Sequence, residues 1–63
     1  MEWGKKLDFI EYVLGRVFGK TWIDLQKFIF SSAEEFASFN HLVDVCNNHN
    51  DLNALARVYA EKI

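Results

Sequence analysis

Apolar residues recur along this chain at helical spacing. Trp3, Leu7, Ile10, Leu14 and Val17 follow one another at intervals of four, three, four and three. At about 100° per residue they form one stripe of a helix predicted over residues 2–18, with Val13 and Phe18 beside it. The stripe covers about two heptads, fewer than a coiled coil needs. Gly19 suits the left-handed residue that ends a helix, and Lys20 lies near the negative end of its dipole. Thr21 then reads as an N-cap, with Asp24 three residues on, opening a helix over 22–30. Ser31 or Ser32 caps a third helix over 33–47, whose first turn holds Glu34 and Glu35. Its inward stripe is Phe36, Phe39, Val43 and Cys46, with Leu42 adjacent. The run Asn47–Asp51 is a turn cluster. A fourth helix over 51–62 turns Leu52, Leu55, Val58 and Tyr59 inward. No stretch alternates at a period of two. The expected fold is all-α, a single domain of residues 1–63 built as a compact bundle of about four short helices.

The second helix poses a problem of packing. Trp22, Leu25, Phe28 and Ile29 share one face, but Ile23 and Phe30 point the other way, beside Lys27. A helix apolar all round is usually buried on all sides, so one reading makes it the inner element lying across the other three. The other reading brings Ile23 and Phe30 to the surface to meet a second chain. Each fully buried side chain of that kind contributes about 1.5–3 kcal/mol, enough to anchor a partner. A second candidate surface lies on the first helix. Phe9, Tyr12 and Arg16 stand at i, i+3 and i+7, opposite the Leu7–Ile10–Leu14 stripe and near Lys5, and Tyr and Arg are enriched where interfaces carry binding energy. Gly15 lies on the same outer side and costs the helix about 0.5–1 kcal/mol relative to Ala, which a close approach by another backbone would explain.

Composition sharpens the packing problem. The chain has 63 residues, 51% of them hydrophobic, and ten aromatic side chains (six Phe, two Trp, two Tyr). That content excludes intrinsic disorder. A domain this small buries only about 60% of the surface its unfolded chain exposes, so some large apolar side chains are expected near the surface. The single Cys excludes an internal disulfide, and a reducing, cytoplasmic setting is expected. Charges interrupt every apolar run, so no membrane span is expected, and Asp8, Glu11 and Arg16 break up any signal-peptide pattern.

Charge is unevenly placed within a net of −2. Residues 1–20 set four cations against three carboxylates, a net of +1, while residues 21–63 set three against six, a net of −3. Neither part has the basic excess of a phosphate-binding surface. The third helix lacks Lys and Arg and opens on two glutamates, the wrong electrostatics for a helix entering the major groove.

The chemistry on offer is sparse. His41, Asp44, Cys46 and His49 form the one polar cluster, but His41 lies about 140° from Cys46 around the helix, and structural zinc needs four converging ligands. Asp44 and His41 lie three apart with no nucleophile or oxyanion hole beside them. A bundle of this size leaves little room for a pocket of several hundred cubic ångströms. No catalysis, cofactor, metal or small-molecule substrate is expected. The expected function is a small cytosolic interaction module, self-associating and acting stoichiometrically as a regulator or inhibitor of a larger macromolecule, of the kind phages and plasmids encode. Its candidate contacts are Phe9, Tyr12, Arg16, Ile23 and Phe30, and its expected partner is a protein or a second copy of itself. One alternative is a nucleic-acid-binding protein using Lys5, Lys6, Arg16 and Lys20, and another is a purely structural homodimer.

Overall fold

A computed structural model describes residues 1–63. It contains four α-helices and no strand: α1 Trp3–Val17, α2 Trp22–Ile29, α3 Ala33–Val45 and α4 His49–Lys62. Short polar side chains at the junctions explain where three of them begin. Thr21 Oγ1 accepts the Asp24 amide at 3.1 Å, Ser32 Oγ accepts that of Glu35 at 3.1 Å, and Asn48 Oδ1 accepts that of Asp51 at 2.9 Å. Each satisfies one amide that a helix start leaves free. Both serines take part in the α2–α3 turn, because the Ser31 hydroxyl donates to the Phe28 carbonyl at 2.6 Å. Gly19 adopts φ +66, the left-handed conformation expected after α1, and the Lys20 amide returns to the Leu14 carbonyl at 2.9 Å.

Two boundaries differ from expectation by two residues. The third helix stops at Val45, where Cys46 turns extended (φ −77, ψ 126) and frees Asn48 to act as a cap. The fourth helix therefore starts at His49 rather than 51, and the asparagine-rich turn contributes to its first turn.

The core gathers thirteen buried residues, among them Ile10, Val13 and Leu14 of α1, Leu25 and Ile29 of α2, Phe39 and Val43 of α3, and Leu52, Leu55 and Tyr59 of α4. Phe39 meets the Tyr59 ring edge-on at 5.3 Å and Phe28 does so at 6.0 Å, tying α2 and α3 to α4. The most extensive packing joins α1 to α4, with α2 mainly against α3. Ala56 and Ala60 are buried on α4, and small side chains at a helix contact permit close approach.

Several stripe positions do not enter this core. Trp3 and Val17 lie on the buried side of α1 but at its two ends, and both are exposed. Phe36 and Val58 are exposed as well; Val58 sits beside the arc that Leu55, Tyr59 and Ala56 occupy. In their place the core takes Lys6, 5% exposed, whose ammonium donates to the carbonyls of Val43 and Asp44 at 3.2 Å each. Nor is α2 the inner element of the bundle. Eight residues pack one face inward, while Ile23 and Phe30 are 62% and 63% exposed.

The surplus of apolar residues causes this exposure, and a loose fold does not. The accessible surface is 4186 Å², against roughly 4,200 Å² expected for a compact chain of this mass. The radius of gyration is 10.6 Å, against about 10.6 Å expected from length.

Candidate functional site

Two of the exposed apolar side chains, Phe30 and Phe36, meet at the α2–α3 corner, and a third, Ile23, lies two turns away on α2. Ile23 and Phe30 are seven residues apart, two turns of helix, and so share the outer face of α2. The Ser31–Ser32 turn then reverses the chain, so that the first turn of α3 presents Phe36 to Phe30. The two rings stack with centroids 5.2 Å apart and planes 23° apart. Phe36 is 40% exposed, so the stack shields neither ring from water. Lys27 and Asp24 are exposed on the same helix. Spacing alone assigns Phe36 to the core; its signal as a surface residue is its place in the turn of helix just after the serine cap.

The candidate surface on α1 divides. Tyr12 is 58% exposed, and the Arg16 guanidinium lies over its ring at 5.8 Å, a cation–π pair. Phe9 turns away from them. It is half-buried, packs against the core, and stacks on His49 of α4 with ring centroids 4.6 Å apart. Gly15 has ordinary space around it: a Cβ there would meet only the Lys20 carbonyl, at 3.8 Å. Nothing within the chain requires glycine at that position. Of the four cations counted toward a basic face of α1, Lys6 is buried against α3, leaving Lys5, Arg16 and Lys20.

The polar cluster of the α3–α4 connection separates too. His49 is engaged with Phe9, Cys46 is buried, and His41 and Asp44 are exposed. No three His, Cys, Asp or Glu side chains converge on one point. Burial pushes the Cys46 thiol above its ordinary pKa, with the Asp51 carboxylate adding to the shift and the Lys6 ammonium opposing it. The thiol is therefore protonated at neutral pH and weakly nucleophilic.

An open, shallow groove of about 450 Å³ runs between the C-terminal half of α3 and residues 51–58 of α4. No helix is long and apolar enough to cross a membrane. Among known proteins, no family matches this chain, and no curated protein or solved structure resembles it significantly.

Proposed function

We propose that this chain is a cytoplasmic protein-interaction module, acting stoichiometrically as a regulator or inhibitor of a larger macromolecule and self-associating through the outer face of α2. The observation that carries this reading is the exposed stack of Phe30 on Phe36 with Ile23 on the same face. Exposed aromatics are unremarkable singly; a stacked pair with a third apolar side chain on the same helix face supports an interaction surface.

The face is suited to a second copy. In an antiparallel pair of α2 helices about a two-fold axis, Ile23 of one copy falls opposite Phe30 of the other, and Lys27 falls opposite Gln26. No like charges then meet, and the contact is the same from both sides, as a two-fold interface requires. The magnitude sets a limit. Three half-exposed side chains per copy contribute roughly half of 1.5–3 kcal/mol each, about 5–9 kcal/mol across the pair. Lost translational and rotational freedom takes back at least about 4 kcal/mol. The net is at most about 5 kcal/mol, so the dimer is no tighter than about 0.2 mM. A larger partner that covers the same face with additional contacts outcompetes it.

The regulator half of the reading is tested by recovering the tagged chain from its native cells under size-exclusion conditions. A protein retained at one copy per chain by the wild type, and lost with Phe36→Asp, supports it. Recovery of the chain alone at every expression level contradicts it.

A further inference from the structure

The groove between α3 and α4 shares no residue with the α2 face. Leu42 and Val45 of α3 and Ala54 and Val58 of α4 line it, with the buried Cys46 and Leu55. Leu42, Val45 and Val58 are 37%, 53% and 47% exposed, so three branched aliphatic side chains border one open channel. Asp51 is the only charged residue in the lining. Its Oδ2 accepts from Asn48 Nδ2 at 3.1 Å, which holds the carboxylate in place at the start of α4.

We infer that this groove receives an amphipathic helix of a partner protein whose apolar stripe is flanked by lysine or arginine. The groove lies between two helices and offers no strand edge, so the complementary element is a third helix packed onto both. Its length fits. Asp51 and Val58 are seven residues apart on α4, a rise of about 10 Å at 1.5 Å per residue, which is two turns. A docked helix would fill it with apolar side chains at i, i+3 or i+4, and i+7.

Charge selects the flanks. Within α3 and α4 the carboxylates Glu34, Glu35, Asp44, Asp51 and Glu61 outnumber the cations Arg57 and Lys62, five to two. Arg57 is also engaged by Glu61 at 3.7 Å, and the Lys62 ammonium lies over the Tyr59 and Phe28 rings. No cation lines the groove, so an acyl chain would bring its carboxylate toward Asp51 with nothing to neutralise it. A second copy of the same acidic pair of helices meets the same repulsion. A basic helix meets attraction at Asp51, on the α4 wall.

The test uses the full chain and a designed helical peptide with leucines at i, i+3 and i+7 and lysines on either side of that stripe. A twin carrying glutamates in place of the lysines is the control. Fluorescence anisotropy reads binding, and alkylation of Cys46, the only thiol, reads occupancy of the groove. The lysine peptide is expected to bind one per chain, at least about tenfold tighter than its twin, and to slow alkylation in proportion to occupancy. Val58→Lys, at an exposed position and with helical circular dichroism checked, is expected to abolish binding. Asp51→Asn is expected to weaken the lysine peptide about threefold. Phe30→Asp is expected to leave binding unchanged, which keeps this result separate from the fate of the α2 face. Equal affinity for the two peptides, or binding that leaves Cys46 alkylation unaltered, overturns the inference. So does alkylation that slows with protein concentration alone, since a second copy would then be the occupant.

Discussion

The ammonium of Lys6, on the first helix, closes the end of the third by donating to the carbonyl of Val43 at 3.2 Å. A second bond of the same length reaches the Asp44 carbonyl. The last turn of α3 contains no basic residue of its own, and a helix C-terminus leaves carbonyls unpaired at the negative end of its dipole. Lys6 supplies the missing cation from 37 residues away in sequence. Its aliphatic stem meanwhile fills the space one turn before Ile10, so that one side chain serves both core and cap.

Replacing Lys6 with Met keeps the stem and removes the cap. Hydrogen bonds to a charged group are worth about 1.5–3 kcal/mol, and a loss of that size is expected from urea unfolding of Lys6→Met. Lys5→Met, at an exposed position one residue away, is expected to change stability by less than about 0.5 kcal/mol. Equal effects from the two would mean that the carbonyls of α3 do not depend on Lys6.

Alkaline pH tests the core from another side. Burial raises the pKa of the Tyr59 hydroxyl, and the Glu35 carboxylate adds to the shift. Cys46 is raised by burial and by Asp51. Both groups are neutral acids that the unfolded chain ionises first, near their ordinary values of 9.0 and 10.0. Their contribution is complete below those values and is lost as pH rises through the higher folded values. Stability is therefore expected to be level in these groups up to about pH 8 and to fall beyond it. Cys46→Ala should remove the earlier part of the decline and Tyr59→Phe the later part, as read from urea midpoints at a series of pH values.

Gly15 offers a gain. It lies inside α1 with space for a Cβ, so Gly15→Ala is expected to stabilise the chain by about 0.5–1 kcal/mol. In a domain this size that raises the midpoint of thermal unfolding by about 2–8 °C. A lower midpoint would show that another backbone approaches α1 at this position.

How much of this was legible in the sequence depends on the range over which each feature is decided. Thr21, Ser32 and Gly19 act on backbone groups within a few residues, and their roles follow from type and position. Trp3, Val17 and Phe36 occupy correct faces for burial, but where each falls along its helix decides whether a neighbour covers it, and periodicity carries no such information. The burial of Lys6 has a faint signature: it lies within about 20° of Val13 around α1, and α3 lacks a basic last turn. The two-sided apolarity of α2 left Ile23 and Phe30 open between core and surface, and only the packing of α2 against its neighbours through one face decides it. The groove depends on the gap between two helices and has no local pattern at all.

The outer face of α2 is tested most directly by sedimentation equilibrium across about 10 µM to 2 mM, a range that spans a dissociation constant of about 0.2 mM, the tightest this face allows. Wild-type chain is expected to pass from monomer to dimer over that range. Ile23→Asp and Phe30→Asp are expected to stay monomeric with unchanged helical circular dichroism, because both positions are already largely in water. A wild type that remains monomeric at 2 mM, or aspartate variants that lose their helices, would contradict the assignment of this face as an interface.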